Sequence, residues 1–299
     1  MTSGEEMVKR IRGLLGSLWI GDGYPTRIIG VINISPESFY KGSVKLSYED
    51  VAEAAKKMER DGADIIDIGG MSTAPYLETW IEEEAEAERI SWAIEAAKSA
   101  VKLPVSADTS RLKPAIAAIK AGADIINDVT GLRVQPRIAR LVAEHGLSLI
   151  VCASKLGHLR DSSDAPIAAI KSLNESIQVA MKSGVEADRI VIDPGIGFHR
   201  STGLPWFEVD LGLLRGLRKL RVLGKPIIVG VSRKSFLGAI TGKDKPEKRL
   251  ASSIAAEAIS IILGAHGIRV HDVAEALDAA RVAEAIIGHK LSEFSSRSP

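Results

Sequence analysis

The chain has 299 residues, 45% hydrophobic and 26% charged, which is enough apolar material for a sizeable core and too little charge imbalance for disorder. Lys plus Arg number 39 against 38 Asp plus Glu, with 4% aromatics, so no basic field or stacking platform favours nucleic acid, and a small-molecule partner is expected. The single cysteine, Cys152, excludes a disulfide framework and a multi-cysteine zinc site, and no run of about 18 uncharged apolar residues offers a membrane span.

The start, "MTSGEEMVKR", mixes acids and bases without an apolar signal region, and a cytoplasmic protein is expected. Residues 1–26 read as an N-terminal extension and residues 289–299, "HKLSEFSSRSP", as a polar tail. Between them, in residues 27–288, eight Ile/Val-rich runs recur: 27–35, 63–70, 103–109, 123–131, 147–153, 189–196, 226–232 and 267–271. They are too continuously apolar for a half-exposed sheet and suit parallel strands covered on both faces. Segments such as "EEEAEAERISWAIEAAKSA" (82–100) separate them with helical spacing. "DGADIID" (61–67) and "AGADIIND" (121–128) repeat one junction, a helix ending at glycine and restarting as a strand. Eight strand-plus-helix units predict an α/β chain folded as a (β/α)8 TIM barrel.

In such a barrel the C-terminal strand ends form the reaction face. The runs end in Asn33, the "GGMST" turn, Asp108, Asn127, Cys152, Asp193, "SRKS" (232–235), and Arg269 with His271. Taken singly, each polar group is equally well explained as a cap for the next helix. Capping does not explain why Asp108, Asn127, Asp193 and Lys234 would meet around one apolar mouth, with the acceptors, donors and cation wanted by a flat nitrogen heterocycle. Asp193 opens "DPGIGF" (193–198), where a carboxylate aimed at ring N–H groups is followed by a backbone cleared by Pro194 and two glycines, then an exposed Phe198. Arg269 and His271, two apart on a strand, face one way and suit a phosphate or diphosphate; a structural carboxylate or Asp272 is the alternative partner for Arg269. Lys234 read alone is also a solvated charge. Cys152, in "LIVCA", reads as a buried small hydrophobe.

These blocks in order, "IGVINISPESF" (29–39), "DIIDIGG" with "ST" and Pro75 (64–75), "DTS" (108–110), "GADIINDVTGL" (122–132), "DPGIGF", "GVSRKSFLG" (230–238) and "RVHDV" (269–273), resemble the dihydropteroate synthase family over roughly residues 28–287, as a divergent, archaeal-type member. The resemblance implies an enzyme that joins 6-hydroxymethyl-7,8-dihydropterin diphosphate to an aryl amine and releases diphosphate. By matching position, Asp108, Asn127, Asp193 and Lys234 would hold the pterin. Arg269, His271 and Asn33 would hold the diphosphate, with Asn33 also a ligand of Mg2+. Ser232 and Phe198 would line the aryl-amine side, with Thr73 and Arg233 as further substrate contacts. The departing diphosphate would give its charge to Arg269, His271 and Mg2+, leaving a pterin methylene cation favoured by Asp108 and Asp193 and attacked by the neutral amine. The family also implies a homodimer.

The match weakens in two loops. In "SPESFYKGS" (35–43) Lys41 stands where the family carries an acid, and in "GGMSTAPY" (69–76) Met71 and Ala74 stand where it carries glutamate and arginine; the "MH" expected after the fifth strand is replaced by Cys152 and Ala153. One reading makes the amine larger and phosphorylated, with Lys41 touching its phosphate; the other leaves Lys41 a solvated loop charge. A non-catalytic pterin-binding homologue and a pterin-dependent corrinoid methyltransferase are the alternative functions.

Overall fold

A computed structural model of the chain describes residues 10–35, 40, 42, 44–45, 47–72 and 80–288. A short antiparallel hairpin, β1 (Arg12–Leu15) and β2 (Leu18–Gly21), comes first. Eight parallel strands follow: β3 (Arg27–Asn33), β4 (Ile65–Gly69), β5 (Val105–Asp108), β6 (Ile125–Asp128), β7 (Ser148–Cys152), β8 (Ile190–Asp193), β9 (Ile228–Val229) and β10 (Gly267–Val270). They pair in the order β8-β7-β6-β5-β4-β3-β10-β9. A parallel bridge between Ile192 and Ile227, in which Ile192 N donates to Pro226 O at 3.0 Å, brings β8 round to the β9 edge. The fold is the expected (β/α)8 barrel, with every expected run carrying a strand.

The helices are α1 (Tyr48–Arg60), α2 (Glu83–Ala100), α3 (Leu112–Lys120), α4 (Arg137–Glu144), α5 (Ala165–Lys182), α6 (Trp206–Arg215), α7 (Ser235–Thr241), α8 (Leu250–Ile262) and α9 (Val273–Ile286). Local chemistry fixes their ends. Ser47 caps α1 by accepting from Asp50 N at 3.1 Å, with Glu49 and Asp50 in the first turn and Lys57 and Arg60 in the last. Alanines on the inner faces, among them Ala93 and Ala97 of α2 and Ala276, Ala280 and Ala283 of α9, are buried and let those helices lie close against the sheet.

Strand alternation divides the apolar residues into two clusters. Ile28, Ile32, Ile66, Ile68, Ile126, Val151 and Ile268 face the helices. Ile29, Ile65, Ile125, Ile150, Val191 and Ile228 face the barrel axis and form a separate cluster with Leu15 and Ile20 of the hairpin. The hairpin therefore closes the N-terminal end of the barrel. Ser148 fastens it, donating from Oγ to Leu14 O at 2.9 Å and accepting from Gly16 N at 3.0 Å. The repeated junction has a use as well: Asp64 accepts from Ile28 N and Asp124 from Val105 N, both at 2.8 Å, so each acid caps the start of a neighbouring strand.

Candidate active site

Two residues beyond each axial apolar residue the same strand face presents the next layer. Ile65 is followed by Asp67, Ile125 by Asn127, Ile150 by Cys152 and Val191 by Asp193. Strand register sets Asp108 beside Asn127 and Cys152 beside Asp193. A Cβ placed on Gly230 would lie 3.7 Å from Arg269 Cβ and 3.8 Å from Lys234 Nζ, so those two cations flank the same gap in the ring. The four residues expected to meet, Asp108, Asn127, Asp193 and Lys234, thus converge on one opening, with Arg269 between them.

Arg269 is the axle of this layer. Its Nε donates to Asp67 Oδ2 at 2.5 Å and its Nη2 to Asp108 Oδ2 at 2.6 Å, and Asp67 is fully buried. Of the two partners considered for Arg269, a structural carboxylate is the one seen. Two acids around one guanidinium leave a net negative charge in a low-dielectric layer. Burial pushes the Asp108 carboxyl up to about 7, against the pull of Arg269 and with Asp67 adding to the rise. Asp67 was not marked by sequence reading, although a charge inside the apolar run "DIIDIGG" was the available signal.

Asp193 is held by its own turn, its Oδ1 accepting from Gly195 N at 2.7 Å. Burial raises its carboxyl and lowers the Lys234 ammonium, while the attraction between the two opposes both shifts. Lys234 Nζ donates to Ile196 O and lies 4.7 Å from the centre of the Phe198 ring. Phe198 is half-buried in that contact rather than exposed. The glycines of "DPGIGF" now have physical reasons. Gly195 and Gly197 have φ of 77° and 89°, and a Cβ would meet Ala153 O at 2.6 Å in the first case and Lys234 Cδ at 2.9 Å in the second. Asp210 of α6, also missed by sequence reading, accepts from Gly197 N at 2.7 Å and steadies the turn from below. Cys152 is buried, with burial raising its thiol far above the usual range, in keeping with its reading as a small hydrophobe.

The motifs "SRKS" and "RVHDV" fasten to each other. Arg233 adopts φ 57°, held by Arg233 N donating to Ser253 Oγ at 2.8 Å and by Arg249 Nη1 donating to Arg233 O at 3.0 Å. Its guanidinium donates from Nε and Nη2 to the two Asp272 oxygens at 2.8 and 2.7 Å and from Nη1 to Pro246 O and Glu247 O, with Tyr40 stacked 4.6 Å away. Expected at the substrate, Arg233 instead clamps the two loops, because a bidentate fork on Asp272 uses the donors a ligand would need. Ser232, expected on the aryl-amine side, turns its Oγ toward His271, 3.3 Å from His271 N and 3.2 Å from Nδ1. The β9–β10 ladder ends at the Ile268 and Val229 pair, so His271 N meets a side chain instead of a strand neighbour. Burial, helped by Arg269, Arg233 and Lys234, pushes His271 down to about 3, so near neutral pH the ring is an uncharged donor or acceptor rather than a second cation.

Asn33 ends β3 beside the same layer, its Oδ1 3.4 Å from a Cβ placed on Gly69. Among the described residues no group of three or more His, Cys, Asp or Glu is arranged to hold a metal. Met71, at the expected glutamate position, lies with its sulfur 3.7 Å from Arg111 Nη1. Lys41 and Thr73, with Glu37 and Ala74, lie outside the described residues.

A family model described as "Pterin binding enzyme" matches residues 29–271. The chain belongs to the dihydropteroate synthase family. A dihydropteroate synthase of Synechocystis is 35% identical over 269 residues, covering 88% of this chain and 91% of the relative. The Xanthomonas albilineans dihydropteroate synthase with 4-aminobenzoic acid superposes with a TM-score of 0.80 at 32% identity, covering 93% of this chain and 99% of that one. The same enzyme in complex with 7,8-dihydropteroate gives 0.78 at 32% identity, covering 93% and 99%. The chain is accordingly a dihydropteroate synthase-like transferase, and no helix among the described residues is long and apolar enough to cross a membrane.

Proposed function

We propose that the barrel mouth condenses 6-hydroxymethyl-7,8-dihydropterin diphosphate with an aryl amine of the 4-aminobenzoate class, releasing diphosphate. The observation that carries this reading is the convergence of Asp108, Asn127, Asp193 and Lys234 around Arg269 on one face of the barrel. Asp193 takes the N–H edge of the pterin, Asn127 offers both a donor and an acceptor, and Lys234 donates to a ring acceptor. Asp108, with its carboxyl near neutrality, shares a hydrogen with a ring nitrogen in either protonation state. Charge leaving with the diphosphate meets Arg269 and the neutral N–H of His271, and the carboxylates of Asp108 and Asp193, in their ionised forms, favour the positive charge left on the pterin methylene. The amine is neutral and attacks without a side-chain nucleophile. Phe198, over Lys234, forms a wall on the amine side of the turn.

A Mg2+ ion fits the donor set as one carried mainly by phosphate oxygens and water: Asn33 offers an amide oxygen, and Mg2+ would neutralise charge on the diphosphate. Thr73 and Lys41 remain candidate contacts to substrate. The enzyme works in the cytoplasm, which the single buried thiol supports, and as a homodimer. Support for the dimer comes from Ile259 of α8 and Val282 and Ile286 of α9, exposed apolar residues on two helices packed side by side.

The test incubates the protein with pterin diphosphate and a panel of aryl amines, including p-aminobenzoate and a ribofuranosyl-aminobenzene phosphate, and identifies products by mass. A dihydropteroate-type adduct with stoichiometric diphosphate is expected; pterin binding without diphosphate release would overturn it. Preference for the phosphorylated amine that disappears in Lys41→Ala would assign Lys41 to the phosphate.

A further inference from the structure

The turn that aims Asp193 has a second holder. Pro194 and Gly195 share one planar peptide, whose carbonyl is Pro194 O and whose N–H donates to Asp193 Oδ1 at 2.7 Å. A Pro–Gly peptide in a turn has two opposed orientations. The glycine takes positive φ in one and negative φ in the other, and carbonyl and N–H reverse together between them. Gly195 has φ 77°, so the first is the one adopted. His199, 5% exposed, lies against this peptide with Nε2 3.1 Å from Pro194 O. A carbonyl oxygen only accepts, so the ring hydrogen is on Nε2. Burial lowers His199 to about 4, against the pull of the Pro194 bond and with Lys234 adding to the fall, which leaves the ring neutral. The same ring packs on the glycine: a Cβ placed on Gly195 would lie 2.8 Å from His199 Nε2 and 3.1 Å from Cys152 Sγ. A histidine thus stands beside the end of β7, where the family's "MH" is replaced by Cys152 and Ala153.

We propose that His199 is a positioning residue for the pterin-binding acid: by holding Pro194 O, it fixes the peptide whose N–H holds the Asp193 carboxylate. This rests on the reading of Asp193 as the acceptor for the N–H edge of the pterin. With Pro194 O released, the peptide reverses, Gly195 N–H leaves Oδ1, and the carboxylate loses its fixed aim while β8 keeps its place in the sheet. Asp210, on Gly197 N, holds only the far end of the turn. His199 therefore acts on the substrate through one peptide and touches none of it.

Two variants separate the donor from the ring. His199→Phe keeps a flat ring and loses the N–H; His199→Gln loses the ring and keeps an amide N–H. In a fluorescence titration, pterin affinity should be about fivefold weaker in His199→Phe, the scale of one hydrogen bond, and within about twofold of the parent in His199→Gln. On an Asp193→Asn background, His199→Phe should add less than about twofold, because its effect runs through that carboxylate. The parent supplies a readout that needs no variant to bind ligand. With 15N-labelled histidine, and His199 assigned among the six histidines by the signal lost in His199→Gln, a neutral Nε2–H ring is expected at pH 7. An Nδ1–H ring there, unchanged affinity in His199→Phe, a loss in His199→Gln as large as in His199→Phe, or the full loss repeated on the Asp193→Asn background would overturn the proposal. Parent-like pterin binding by Asp193→Asn alone would bring down the reading of the mouth, and the proposal with it.

Discussion

Asp193 is a residue whose backbone surroundings exist to aim it: Gly195 N bonds its Oδ1, and Lys234 supplies the compensating charge. Asp193→Asn keeps the shape and loses the anionic acceptor, so pterin affinity should drop about tenfold or more in a fluorescence titration, with little change in unfolding midpoint. Gly197→Ala puts a methyl 2.9 Å from Lys234 Cδ at φ 89°, and should cost more than about 1 kcal/mol in urea unfolding while weakening pterin binding by displacing that lysine. Arg269→Ala has a different signature. It strands Asp67 and Asp108, whose Oδ1 atoms already have no partner among the described residues, and should cost about 3 kcal/mol of stability besides weakening diphosphate binding. Arg269→Lys should not restore it, because a point charge cannot span both carboxylates at their present positions.

At the scale of elements, the β9–α7 and β10–α9 loops act as one unit through the Arg233–Asp272 fork, the Ser232–His271 contact and the strained φ of Arg233. Asp272→Asn weakens the fork and should loosen both loops together, seen as parallel gains in amide exchange across 232–235 and 271–273. The hairpin β1–β2 is the counterpart at the other end of the barrel. Leu15 and Ile20 are fully buried against the axial layer, so Leu15→Ala should cost about 2–5 kcal/mol, whereas KM for the pterin substrate should hold, since the mouth lies at the opposite face. A loss of pterin affinity equal to that of Asp193→Asn would contradict this separation.

Over the whole molecule, buried titratable groups set how stability depends on pH. Glu257 at about 8 and Asp108 at about 7 hold protons that the unfolded chain, with ordinary values of 4.5 and 3.8, has already released. Their contribution is fully present below those ordinary values and is lost as pH rises through 7 and 8. His199 and His271, lowered to about 4 and about 3 from 6.5, act in the opposite sense, adding stability as pH rises to 6.5 and nothing further above it. The clean window is therefore pH 6.5 to 8.5, where the unliganded protein should lose about 1–2 kcal/mol. Thermal unfolding across that window measures it, and Glu257→Gln should flatten much of the slope.

The succession of Ile/Val runs and helical spacers was sufficient to determine the barrel, because strands covered on both faces and helices over a core leave periodic signatures in any order of packing. Strand ends also betrayed Asp108, Asn127, Asp193, Lys234 and Arg269, since a polar group closing an apolar run is visible without knowing its neighbours. The partners were not visible. Arg269 meets Asp67 across 202 positions of chain and Arg233 meets Asp272 across 39, and nothing local says that one arginine serves the mouth and the other a loop. Ser232 and Asp210 acquire their contacts in the same way, from elements that only barrel closure brings together. The hairpin escaped notice because its strands are four residues each, too short for a period to declare itself, and its burial depends on the open barrel end that it fills. Residue type and spacing settled which groups gather; closure of the sheet settled which of them touch, and therefore which carry charge, which carry a proton and which merely hold the others in place.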